Sequence, residues 1–227
     1  MWEPTVTQSD AESEKSLKII AITSCAGEFK NILQILSALP RNFPAAIVII
    51  QQPCALVAEY AAKVLDSEID LRVKQISNGE RLSSGVVYFA VANQGFSITT
   101  NWTLCFVNTA TVYSQTNLFL TSLALNCKAD AIAVALTVND DVLGLQAIKQ
   151  YGGTTISQTE QTLPLLSKSQ PLGETQVIDF LLPLEKIAPA LMDLVMPQQF
   201  PKSLALEIVE NQLEYEPTSY AVANESV

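Results

Sequence analysis

Histidine is absent from the 227-residue sequence. Imidazole is the side chain whose ordinary pKa lies closest to neutrality, so neither a Ser-His-Asp nor a Cys-His arrangement can be built within this chain. A histidine-ligated metal centre is excluded for the same reason. Cations are scarce as well: 13 Lys and Arg stand against 23 Asp and Glu, for a net charge of −10. Affinity for nucleic acid rests on clustered cations that release counterions, so no nucleic-acid partner is expected. Only eight glycines occur, and neither G-x-G-x-x-G nor G-x-x-x-x-G-K-[ST] is present. The backbone approach to phosphate that nucleotide sites need is therefore missing, and no cofactor is expected. The four cysteines, Cys25, Cys54, Cys105 and Cys127, form no CxxC pair. Their wide spacing in apolar contexts suits reduced core thiols better than a zinc site or a disulfide framework. No apolar run reaches the roughly 20 residues of a membrane span, so no membrane insertion is expected.

What is present is a globular composition, 48% hydrophobic and 16% charged. The opening from Met1 to Lys15 is polar and acidic, with neither the basic start nor the apolar core of a secretory signal; a cytoplasmic location is expected. Residues 1–16 read as a polar tail, 17–195 as one domain and 196–227 as an acidic extension carrying Glu207, Glu210, Glu214, Glu216 and Glu225. Tails of this kind are solvated charge.

Lys18 to Thr23 is a short apolar run followed by Ser24-Cys25-Ala26-Gly27. Phe29, Ile32, Leu33, Ile35 and Leu36 then recur near helical period until Pro40. The run Ala45 to Ile50 is apolar on both faces, as a central parallel strand requires, and a helix is expected from about Ala55 to Leu65. Two such units predict a right-handed crossover and a three-layer α/β/α domain with a mainly parallel, Rossmann-like sheet. Between Leu71 and Val107, short runs at Arg72–Ile76, Val86–Ala90, Phe96–Thr99 and Thr103–Val107 are punctuated by glycine and asparagine. They read as an antiparallel hairpin insertion. A helix around Leu118–Leu125, a buried strand Ala131–Leu136, a helix Val142–Tyr151 stopped by Gly152-Gly153, a strand Thr154–Ser157 and a helix Leu184–Leu194 complete the expectation.

In an open parallel sheet, ligands bind beyond the carboxyl ends of the strands. Three loops qualify: Ser24 to Gly27, Gln51 to Cys54, and Thr137 to Asp141. Cys25 would stand at a strand-to-helix turn, where a helix dipole favours thiolate. Against that, no histidine is available to take its proton, and Glu28 disfavours a second negative charge. Asp140 and Asp141 precede a helix, and either could cap its amides. Adjacent carboxylates do not flank a substrate as a glycosidase pair must. Cys25 and Cys54 would also lie near each other if the first two strands are neighbours, which leaves a redox pair open.

The segment Ile20-Ala21-Ile22-Thr23-Ser24-Cys25-Ala26-Gly27 resembles the opening strand and nucleophile turn, I-G-A-S-T-G-G, of the CheB-type protein-glutamate methylesterases of chemotaxis. Leu39-Pro40 with Phe43-Pro44, and Ile47 to Gln52, resemble that family's L-P-x-x-F-P and V-V-Q-H segments. Gly85 to Ala90 is similar to G-x-V-Y-x-A-P, with Val91 at the proline, and Ser114 with Leu118-Phe119 is similar to P-S-x-D-x-L-F. Leu136-Thr137 and Gly144-Leu145 bracket a stretch resembling L-T-G-M-G-x-D-G-x-x-G-L, two residues shorter here. Gly152 to Gln158 resembles G-G-x-T-I-A-Q, and Leu182 to Ile187 resembles the family's closing segment.

The resemblance implies an esterase scaffold with Cys25 at the nucleophilic serine, Gln52 at the histidine and Asp140 at the triad aspartate. An amide such as Gln52 cannot act as a general base. The expectation is a catalytically impaired homologue acting by binding chemoreceptor or chemosensory partners. The alternative is a thiol-dependent esterase using Cys25. A receiver domain, usual in the family, is not seen ahead of the first strand, so control by phosphorylation within this chain is not expected.

Overall fold

The computed structural model describes residues 16–52, 58–90, 94–108, 115–136, 141–159 and 177–196. The chain runs β1 (Lys18–Cys25), a short 3-10 turn (Ala26–Glu28), α1 (Phe29–Ser37), β2 (Ala45–Gln52) and α2 (Ala58–Glu68). Then come β3 (Arg72–Gln75), β4 (Val86–Phe89), β5 (Gly95–Ile98), β6 (Leu104–Val107) and α3 (Gln115–Cys127). β7 (Ala131–Ala135), α4 (Val142–Gln150), β8 (Thr154–Gln158), β9 (Phe180–Leu182) and α5 (Leu184–Val195) follow.

Seven strands form one sheet in the order β3-β4-β2-β1-β7-β8-β9, and every pairing in it is parallel. Parallel strands covered on both faces must be apolar on both faces. β1 obeys this: its six central residues are buried, with Ile19, Ile20 and Ile22 fully so. Each such side chain contributes roughly 2 kcal/mol by leaving water. Alternation along the strands divides the core. Ile20, Ile22, Ile47 and Ile49 pack with residues of α1, α2 and α5 on one face. Ile19, Ala21, Ala46 and Val48 pack with α3, α4 and the β5–β6 hairpin on the other. The expected three-layer architecture is thus present.

The stretch from Leu71 to Val107 differs from its sequence reading. β3 and β4 join the main sheet in parallel, and only β5 and β6 pair antiparallel, as a separate two-stranded sheet. Short strands broken by glycine look alike in sequence whichever partner they find. β4 nevertheless carries Val87, Tyr88 and Phe89 with at most 2% exposure, the signature of a strand covered on both sides. The hairpin's edges are occupied from outside: Ile98 N–H donates to Ser122 Oγ at 3.0 Å, and Asn126 Nδ2 donates to the Ile98 carbonyl at 2.9 Å. Leu104 N–H donates to the Glu80 carbonyl at 2.8 Å on the far side. Covered edges do not recruit foreign strands.

α3 and α4 meet closely because Gly144 lies at their contact. A Cβ there would stand 2.6 Å from Leu120 Cβ and 2.8 Å from Leu120 Cδ1. Overpacking of this kind costs about 1–3 kcal/mol, so Gly144→Ala is expected to lower the urea midpoint of unfolding by a corresponding amount. An unchanged midpoint would show that the helices part without cost.

Cys127, at the end of α3, is 7% exposed. Burial, with Asp130 nearby as the smaller cause, pushes its thiol from 9.0 up to about 12. Unfolded, the thiol ionises near its ordinary value; folded, it keeps its proton. Stability from this site is therefore complete below pH about 9 and is lost as pH rises towards 12. Urea midpoints measured at intervals from pH 8 to 11 should decline, and Cys127→Ala should flatten the decline. In native protein at pH 8, iodoacetamide should leave Cys127 unmodified while modifying it in urea.

Candidate functional site

The strand order places the site. From β1 the chain crosses to β2 on one side, while β7 joins β1 on the other, so the order reverses at β1. The crevice at such a reversal, beyond the carboxyl ends, is where open α/β sheets bind ligands. The carboxyl ends of β1, β2 and β7 meet there; of the three loops expected to share this edge, residues 53–54 and 137–140 lie outside the described residues.

Cys25 ends β1 and is half-buried. Its backbone is extended, with φ −87° and ψ 164°, and the chain then turns at once into the 3-10 turn and α1. The turn is closed by a reciprocal capping box between Cys25 and Glu28: the sulfur faces the Glu28 amide, and the Glu28 carboxylate faces the Cys25 amide. Cys25 N–H donates to Glu28 Oε2 at 2.7 Å. Glu28 is 6% exposed, so this carboxylate is part of the floor rather than a solvated surface charge. Gln51 Nε2 donates to the Cys25 carbonyl at 3.1 Å, which fixes the other side of the same residue.

Gln52, on β2, has Cys25 as its Cα partner across the parallel pair. The two positions named from the sequence are therefore brought together by the strand register. Asp140, Cys54, Ser114 and Val91 lie outside the described residues, and with Cys54 goes the test of a Cys25–Cys54 redox pair. Cys105 and Cys127 are thiols rather than disulfide partners among the described residues.

Asp141 behaves differently from its sequence reading as a helix cap. It occupies the N-cap of α4 without a side-chain cap bond. Its Oδ2 instead accepts the Thr23 hydroxyl at 2.7 Å, and both residues are buried, at 4% and 3% exposure. The α4 amide is served from elsewhere: Gly144 N–H donates to Asn117 Oδ1 of α3 at 2.7 Å. Sequence reasoning passed over Thr23 and Asn117, because a threonine in a strand and an asparagine in a helix carry no local signal of a long-range partner.

Polar groups concentrate along this edge. Ser157 Oγ donates to the Ala135 carbonyl at 2.9 Å, and Asn31 Nδ2 donates to Gln158 Oε1 at 3.4 Å. The buried Ser24 Oγ, by contrast, has no hydrogen-bond partner among the described residues. Among the described residues no group of three or more Cys, Asp or Glu is arranged to hold a metal ion, and no helix is long and apolar enough to cross a membrane. The arrangement offers a thiol at a tight turn, a carboxylate on the same residue's amide, and buried amide side chains from β2 and β8.

Comparison with known proteins locates this arrangement. A family model described as CheB methylesterase matches residues 20–191. A protein-glutamate methylesterase/protein-glutamine glutaminase of Moorella thermoacetica is 33% identical over 188 residues, covering 79% of this chain and 44% of the relative. The protein of the same name from Thermotoga maritima is 31% identical over 186 residues, covering 78% of this chain and 54% of the relative. The chain thus spans about half the length of the curated relatives it matches. The crystal structure of the Thermotoga maritima CheB methylesterase catalytic domain superposes with a TM-score of 0.68 at 28% identity, covering 79% of this chain and all of that one. With the topology, the crevice at β1 and these matches in agreement, the chain belongs to the CheB methylesterase family.

Proposed function

We propose that this chain is a catalytically impaired member of its family that acts by binding a chemosensory partner, such as a methylated receptor helix, at the carboxyl edge of the sheet. The observation that carries this reading is the Glu28 carboxylate, 2.7 Å from the Cys25 amide. Ester hydrolysis develops negative charge on the carbonyl oxygen beside the nucleophile, and it is accelerated by amide donors held ready for that charge. Here the nucleophile's own amide is already taken by an anion. A carboxylate so placed opposes the build-up of negative charge on an oxyanion at the same turn.

The missing base compounds the effect. With no histidine in the sequence and Gln52 paired to Cys25 in register, nothing at the histidine position can take the thiol proton. The alternative, a thiol-dependent esterase, is favoured by one observation: Cys25 is half-buried rather than sealed, at a strand-to-helix turn. The same experiment separates the two readings.

Methanol release from methylated receptor is the measurement, made on the natural chain and on Cys25→Ala, Gln52→His and Gln52→His/Glu28→Gln variants. The natural chain is expected to release methanol at the rate of the buffer while still binding the receptor. Restoring a base alone is expected to do less than restoring it with the carboxylate neutralised, by about tenfold or more. Turnover by the natural chain that vanishes in Cys25→Ala would establish the thiol esterase instead.

A further inference from the structure

We propose that Ser24 is a ligand-contacting residue of this edge, its buried hydroxyl left to donate to an uncharged carbonyl oxygen of the bound partner. The assignment rests on the binding function proposed above and names a contact within it. Among the described residues, two buried side-chain oxygens lack a hydrogen-bond partner, Ser24 Oγ and Thr159 Oγ1. Ser24 is the last residue but one of β1, and Thr159 directly follows β8. Both oxygens therefore stand at the carboxyl edge of the sheet, where open α/β sheets take their ligands.

A buried hydroxyl without a partner destabilises the resting protein. A shortage of polar groups nearby does not account for this one, because the neighbours of Ser24 are bonded to each other. The Thr23 hydroxyl donates to Asp141, the Cys25 amide donates to Glu28, and Gln51, the Cα partner of Ser24 on β2, donates to the Cys25 carbonyl. Ser24 is 6% exposed, and it shares the α1 face of the strand with Ile20 and Ile22. The chain beyond it opens outward: Cys25 is half-buried and Gly27 is exposed. A Cβ on Gly27 would have nothing within 4 Å, so the turn that follows β1 has free space beside it.

The two bonds that flank Ser24 decide what its hydroxyl can receive. Glu28 Oε2 lies 2.7 Å from the Cys25 amide nitrogen, and Asp141 Oδ2 lies 2.7 Å from the Thr23 hydroxyl. Both carboxylates are buried, at 6% and 4% exposure, so little water screens them. Lys30, the cation nearest the turn in sequence, is exposed, and its charge is screened by water. A ligand carboxylate brought to Ser24 would be repelled from both sides. An ester or amide carbonyl accepts the same hydrogen bond without the charge.

The test pairs affinity with stability in the full chain, using a soluble chemoreceptor cytoplasmic fragment in methylated and demethylated forms as the probe. Alanine stands at this position in the I-G-A-S-T-G-G motif that the segment resembles, and Ser24→Ala removes only the hydroxyl. It is expected to weaken binding of the methylated form about tenfold, the scale of one hydrogen bond lost from a complex. Its urea midpoint is expected to stand at or above that of the natural chain, because the group removed had no partner. A purely structural serine would instead lower the midpoint, and the affinity along with it. The natural chain is expected to prefer the methylated form about tenfold or more. Unchanged affinity in Ser24→Ala, or a lowered midpoint, would overturn the assignment and leave the binding function standing. Equal affinity of the natural chain for the two forms would refute the uncharged acceptor. Binding of neither form would overturn the binding function and this contact together.

Discussion

The parallel pairing of β1 with β2 on one side and β7 on the other is the constraint from which the rest follows. A strand so placed is denied water on both faces and both edges, so its side chains must be apolar for as long as the sheet continues. The run from Ile19 to Ile22 meets that requirement with no measurable exposure. At its carboxyl end, still paired in the sheet, the same strand changes character to Thr23, Ser24 and Cys25. The strand-order reversal at β1 leaves a crevice at that transition, and the polar residues of the site are those that the end of the hydrophobic requirement permits.

Burial at the carboxyl edge then imposes a second requirement, since a buried polar group without a partner costs about 1–3 kcal/mol. Most of the edge meets it with bonds spanning long stretches of sequence: Thr23 to Asp141, Gln51 to the Cys25 carbonyl, Ser157 to the Ala135 carbonyl. Glu28 meets it locally, through the capping box with Cys25. These bonds draw on the donors and acceptors that a ligand would otherwise use. Ser24 Oγ, buried and without a partner among the described residues, is the exception on β1.

The fold was legible in the sequence wherever a single element decides its own character. β1, β2 and β7 are apolar on both faces and announced a parallel sheet. α1, α4 and α5 showed their periods, and Gly152-Gly153 stopped α4 close to where it ends. The stretch containing β3 to β6 was misread in part because strand direction is set by the partner: β4 pairs β2 in parallel, a fact held in β2 and the crossover helix rather than in Val86–Phe89. The expected start of α2 near Ala55 lies outside the described residues, and β9 was missed, as a three-residue strand scarcely has a pattern. At the site, Cys25 and Gln52 could be named from motif order, and the strand register pairs them. The Thr23–Asp141 bond spans 118 positions, and no local pattern in either segment points to the other. The role of Glu28 was half legible: its charge next to Cys25 was evident, but its contact with the Cys25 amide depends on the 3-10 turn.

The division between an apolar strand centre and a polar strand end separates what holds the fold from what lines the site. The stability of the sheet resides in Ile19, Ile20, Ile22 and their partners on β2 and β7, none of which touches the crevice chemistry. Residues at the edge are therefore exchanged at small cost to the fold, and some exchanges stabilise it. An amide left open to receive an oxyanion is an unsatisfied group in the resting protein, whereas the Glu28 carboxylate satisfies it permanently. A catalytic site holds donors in reserve at some expense of stability. A site that only has to present a surface is under no such demand, and the physics of burial then favours closing each open donor. The Cys25–Glu28 turn and the Thr23–Asp141 bond satisfy donors on either side of the same residue, Ser24.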